Sequence, residues 1–170
     1  MKNYILLNQK TFVMKDQKDF ANLSGDYNPI HLDHIEARKS IVGHIIVHGI
    51  NTFLWAIECL VEKEKVTYSN FKINFLHPIA LRHTVELYWN KAAKELKIKD
   101  KKGLVYCSIK LLGERKSFKS IPIQVSKTIF KKPLKLSPQD LLSKNILIRF
   151  NNGNKRFLKS LYPYLYNKLG

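Results

Sequence analysis

Asp26 and His31 stand five residues apart in the run Ser24-Gly25-Asp26-Tyr27-Asn28-Pro29-Ile30-His31, and a second histidine, His48, directly precedes Gly49. A carboxylate and an imidazole aimed at one point can move protons to and from neighbouring atoms of a bound molecule, because histidine titrates close to neutral pH. The residues between them favour a sharp loop. Gly25 tolerates positive φ, Pro29 fixes its own φ, and Asn28 is biased away from the helical region by the proline that follows. Taken alone, Asp26 reads first as a turn-stabilising side chain that bonds the backbone after it.

Such a pair needs elements on both sides to hold it. An early strand is expected around 11–13, then a short helix over 16–23 with Phe20 and Leu23 on one face, delivering the loop. From His48-Gly49 onward, Ile50, Phe53, Leu54, Ile57, Leu60 and Val61 recur at helical spacing, which predicts a buried central helix ending near 63–65. Gly49 stands at its start, where N–H groups lack helical partners and the positive end of the helix dipole points outward, so it can donate to a developing oxyanion. Three strands are expected after it, over 68–75, 84–91 and 104–112, with Lys101-Lys102-Gly103 as the turn before the last. Tyr27, Trp55, Phe71 and Phe75 read as core. Beyond Gly113 the pattern gives a strand in 120–130, a helix opened by Ser137-Pro138, and a last helix over 157–169 interrupted by Pro163.

Phe20, Leu23, Ser24, Gly25, Asp26, Asn28, Pro29, Ile30 and His31, continued by Asp33, Ala37, Gly43 and His48-Gly49, resemble the hydratase motif of the MaoC-type dehydratases and (R)-specific enoyl-thioester hydratases. Phe75, Leu76, Pro78 and Ile79 are similar to a later strand of that family, although its usual Gly-Asp reads Arg82-His83 here. The resemblance implies an α+β hot-dog fold, a curved antiparallel sheet wrapped around a long central helix. It covers roughly 10–113, so a domain is expected over 1–113, followed by a basic C-terminal extension over 114–170 that forms a final strand plus helices or the start of a second half. It also implies reversible hydration of an enoyl thioester to a 3-hydroxyacyl thioester carried on coenzyme A or an acyl carrier protein. Asp26 and His31 match the catalytic pair, and Gly49 matches the residue whose N–H contacts the thioester carbonyl. Ser24, Asn28 and His48 fall beside the substrate; His48 reads equally as a packed residue fixing the start of the central helix. No cofactor is implied, and the expected partner is a second hot-dog domain, in a homodimer or otherwise. One departure stands out: a helix serine that supports the carboxylate in the family is missing from 50–60, so either Asn51 or Thr52 substitutes or the site is less well organised.

At 170 residues the chain suits one complete domain plus an appendage. The ending on Leu169-Gly170, inside plausible structure, fits a piece of a longer protein with a second hot-dog half. Cys59 and Cys107 sit in apolar contexts without metal or redox spacing, no signal-peptide core precedes Lys10, and no apolar run spans a bilayer, so a cytoplasmic protein is expected. The formal charge is +17, with 17 Lys/Arg against 11 Asp/Glu through Gly113 and 13 against 2 after it. A field of that sign favours anionic partners: coenzyme A phosphates, an acidic carrier protein, nucleic acid or anionic lipid. No nucleic-acid motif accompanies it. His31, Asp33, His34, His44 and His48 invite a metal reading, but Gly43 and the run Ile45-Ile46-Val47 oppose the helix that would converge them, so no metal is expected. The alternative to an enzyme is a non-catalytic acyl-binding or partner subunit of the same fold.

Overall fold

The structure, a computed structural model, describes residues 4–64, 68–114, 159 and 161–164. Its elements run β1 (Ile5–Thr11), α1 (Met14–Ser24), a 3-10 turn (Pro29–His31), α2 (His34–Lys39), α3 (Gly49–Glu64), β2 (Tyr68–Phe75), β3 (Thr84–Asn90), β4 (Glu95–Lys99) and β5 (Val105–Glu114). Among the described residues, the five strands pair antiparallel in the order β1-β3-β4-β5-β2, with β1 and β2 at the ends of that order.

The core joins α3 to one face of this sheet. Trp55, Ala56, Ile57 and Leu60 from the helix cluster with Val85, Leu87 and Trp89 of β3, Leu96 and Ile98 of β4, and Cys107, Ile109 and Leu111 of β5. Removing that apolar area from water is the main source of stability, about 25 cal/mol per Å². Period-two burial along β3 and β4 places every second side chain on the helix.

Two ties set the position of the loop and of the start of α3. Gly25 ends α1 at φ 77, and its N–H bonds Ala21 O at 2.8 Å, a left-handed cap that side-chain-bearing residues resist. Segment 45–47 crosses to 79–81 through Val47 N to Ile79 O (2.8 Å) and Leu81 N to Ile45 O (3.0 Å), which fixes His48 and Gly49 over the sheet.

Several expectations shift. The first strand ends at Thr11 instead of spanning 11–13, and Phe12 beyond it is fully buried. β4 and α2 were not anticipated. Asp33 caps α2 by accepting from Ile35 N and Glu36 N at 2.7 and 3.1 Å, and these bonds hold its carboxyl below the usual range. Trp55 is core, whereas Tyr27 is exposed and hydrogen-bonds Asn22, and Phe75 is half exposed. The expected strand in 120–130 and the helix opened by Ser137-Pro138 lie outside the described residues. Of the last helix, Lys159, Leu161, Pro163 and Tyr164 are helical, with Tyr162 non-helical just before the proline. No helix among the described residues is long and apolar enough to cross a membrane.

Candidate active site

The loop after α1 is built by its own side chains. Ser24 Oγ donates to Phe20 O and accepts from Asp26 N, Asp26 Oδ1 accepts from Asn28 N (3.1 Å), and Asn28 Oδ1 accepts from Ile30 N (3.2 Å). These nested turns spend the Ser24 hydroxyl and the Asn28 carbonyl oxygen on the backbone. His31 then begins a new direction of chain. Its Nδ1 lies 2.9 Å from Ile46 O, and because a carbonyl only accepts, Nδ1 carries a proton and Nε2 is the free nitrogen of the neutral ring.

His48 lies almost fully buried against His31, the two rings stacked at 3.9 Å with 30° between planes. Its Nε2 meets Asp26 O at 3.1 Å and stands 3.9 Å from Asp26 Oδ2; its Nδ1 faces Gln17 Oε1 at 3.2 Å. Burial lowers its proton affinity from the usual value, His31 adds to that, and the hydrogen bond to Asp26 and its charge oppose it. Asp26 itself is half exposed.

Asp26, His31 and His48 each bring one donor atom within 4.8 Å of the others. Near-parallel stacking sets the two rings' in-plane lone pairs side by side, where a metal ion needs them convergent, and three of the four ring nitrogens are already engaged. The arrangement suits proton transfer instead.

A pocket of about 280 Å³ opens beside this cluster, lined by His31 and Gly49, the apolar Ile46, Val47 and Ile79, and Phe75 at its mouth, among others. Gly49 packs closely under Phe75: a Cβ there would stand 3.1 Å from the ring, which would have to give by a few tenths of an ångström. Its N–H belongs to the first turn of α3, where no helical carbonyl lies four residues back. Cys107 also lines the pocket, but burial pushes its thiol up to about 12, so it is no nucleophile at neutral pH. Neither Asn51 nor Thr52 replaces the missing helix serine. Asn51 Nδ2 bonds Asp16 O, and Thr52 Oγ1 bonds His48 O.

The sequence profile of the MaoC-like domain matches residues 4–110. This chain belongs to the MaoC-like family. Among solved structures it is similar to an (R)-hydratase from A. caviae involved in PHA biosynthesis, 20% identical, with a TM-score of 0.54 over 65% of this chain and 96% of that one. An unliganded R-hydratase from Pseudomonas aeruginosa is 16% identical, with a TM-score of 0.53 over 74% of this chain and 92% of that one. A MaoC-like dehydratase from Rhodospirillum rubrum is 15% identical, with a TM-score of 0.52 over 65% and 88%. At these identities the likeness establishes the hot-dog fold. No curated protein matches the chain.

Where this MaoC-like domain departs from the family motif, the structure shows what replaced it. Arg82 takes φ 67, a left-handed conformation that glycine adopts without strain, and its N–H bonds Phe12 O at 2.9 Å. His83 Nε2 lies 3.0 Å from the Tyr106 hydroxyl, which in turn donates to Asp100 Oδ2 at 3.3 Å. Tyr106 lines the pocket as well, so the substituted dipeptide braces its wall. Sequence reasoning missed Tyr106 and Gln17. Each looks ordinary until a partner distant in the chain is brought to it.

Proposed function

We propose that this chain is a hydro-lyase that adds water across the C2–C3 double bond of an enoyl thioester and removes it from the 3-hydroxyacyl thioester. The observation that carries the reading is the convergence of Asp26 and His31 beside a pocket whose lining includes His31 and the α3-start residue Gly49. In the hydration direction, water held by Asp26 and His31 gives its proton to the pair as its oxygen bonds C3. The electrons of the double bond move toward the thioester carbonyl, whose developing charge takes the Gly49 N–H. The pair then returns a proton to C2. Protons balance without a cofactor.

The pocket is at the small end of ligand sites, which favours a short acyl chain. β2, the last strand of the sheet among the described residues, with half-exposed Phe75 and Leu76 at its end, supports pairing with a second hot-dog domain. The charge of +17 suits either coenzyme A or an acidic carrier protein. Catalytic efficiency that falls steeply with salt for the carrier-bound substrate alone selects the latter.

Loss of enoyl-thioester absorbance on adding the protein to crotonyl-coenzyme A is the expected result. A second reading, an acyl-binding subunit without activity, is favoured by the half-exposed Asp26 and the engagement of Asn51 and Thr52 elsewhere. Binding without turnover, across short and longer chains and both carriers, decides for it.

Gly49→Ala tests whether the thioester needs close approach to a bare Cα here, since alanine keeps the backbone N–H. Phe75 is half exposed, so its ring can swing from the new methyl, and the stability cost stays under about 1 kcal/mol. Activity falls about tenfold as the mouth is reshaped. Unchanged activity per folded molecule would mean that substrate does not need the open Cα of Gly49.

A further inference from the structure

A single buried amide reaches both histidines of the site, His48 directly and His31 through a shared carbonyl. Gln17, wholly buried on α1, donates from Nε2 to Ile46 O at 2.9 Å, the same carbonyl that takes His31 Nδ1–H at 2.9 Å. Its Oε1 lies 3.2 Å from His48 Nδ1, while His48 Nε2 meets the Asp26 carbonyl at 3.1 Å. Both nitrogens of His48 therefore face acceptors.

A neutral imidazole carries one ring proton. With that proton on Nε2, the Nδ1 lone pair confronts the Gln17 oxygen; with it on Nδ1, the Nε2 lone pair confronts the Asp26 carbonyl. Turning the Gln17 amide over moves the conflict to its oxygen against Ile46 O. A ring carrying both protons satisfies every contact at once, and buried polar groups left unsatisfied are costly.

We propose that Gln17 is a positioning residue of the proton-transfer site, which holds in place the Ile46 carbonyl that His31 bonds and raises the proton affinity of His48. Burial of His48 and its stacking on His31 pull the other way, since a charge on one ring opposes a charge on the other. The titratable groups set against His48 among the described residues are His31 and Asp26, and α1 presents Gln17 and the Phe20 ring at 4.9 Å. A protonated His48 stands 3.9 Å from Asp26 Oδ2, close enough to hold that otherwise half-exposed carboxylate toward His31.

The catalytic meaning rests on the hydratase reading; the hydrogen-bonding claim does not, and the two are separable by experiment. Titration of the histidine ¹⁵N resonances in the folded wild type, Gln17→Met and Gln17→Glu reads the network with no substrate present. In Gln17→Met, which keeps the length and loses both polar contacts, the His48 midpoint falls by about half a unit or more. In Gln17→Glu it rises. In the wild type, His31 keeps its proton on Nδ1. A His48 midpoint in Gln17→Met equal to that of the wild type overturns the proposal, whatever the activity. On an active enzyme, the alkaline limb of the pH profile of kcat/KM moves in the same direction as each midpoint, because the protonated His48 is the form that holds Asp26, and Gln17→Met loses about tenfold at neutral pH. A lowered Tm with an unmoved pH profile would assign Gln17 to packing and also overturn it.

Discussion

Asp26→Asn and His31→Ala each lower kcat on crotonyl-coenzyme A by a hundredfold or more, about the contribution of a positioned general acid or base. Asp26→Asn is the cleaner of the two. The asparagine Oδ1 still accepts from Asn28 N, so the loop and the melting temperature stay as they are while the ionisable oxygen is lost. His31→Ala removes in addition the bond to Ile46 O and the stack on His48, so about 1–2 kcal/mol of stability goes with the activity. Because the two groups serve one water, the double variant falls hardly below the worse single one. Retention of a third of wild-type kcat by Asp26→Asn, with the fold intact, would remove the carboxylate from the reaction. Losses that multiply in the double variant would mean that the residues act on separate steps.

The site loop was legible because its residues form local structure. Gly25, Asp26, Asn28 and Pro29 dictate turns within two or three positions of themselves, and the apolar spacing after Gly49 is long enough to announce a helix. β2 begins and ends where its residue pattern places it. β4 was missed although Glu95-Leu96-Lys97-Ile98-Lys99 alternates cleanly, because five residues among lysines carry little weight until the sheet buries Leu96 and Ile98 completely. α2 hid behind the motif reading, which absorbed Asp33 as a spacing match when its carboxylate is a helix cap. Gln17 was illegible for a different reason. It sits between Asp16 and Lys18 in a charged stretch, and what buries it is segment 45–48 folding back over α1, 29 positions away at Ile46. Tyr106 depends likewise on His83 and Asp100, on two other turns of the sheet. Polar residues recruited by tertiary contacts leave no periodic trace.

Tyr162→Ala is expected to cost about 3–5 kcal/mol, although the residue lies in a segment past the matched domain. The side chain is 4% exposed and belongs to the main core cluster, with Leu161 packed beside it. Its hydroxyl donates to Asn51 Oδ1, and Tyr164 N donates to Glu58 Oε1 at 2.7 Å, so the segment is stitched along α3 at two points. Burial, with the nearby charges of Asp16 and Glu58, pushes the phenol well above its ordinary value, so it remains a donor throughout the working range of pH. Tyr162→Phe separates the two contributions: it keeps the packing and strands the buried Asn51 oxygen, for about 1–3 kcal/mol. Asn51 also holds Asp16 O, one residue from Gln17, so this contact connects the C-terminal segment to the network under the site. Urea midpoints of the two variants measure both numbers. Wild-type stability in Tyr162→Ala would mean that the segment does not dock on α3 in solution. Equal losses in Ala and Phe would place the whole effect in one hydrogen bond, and the aromatic ring would then contribute nothing to the core.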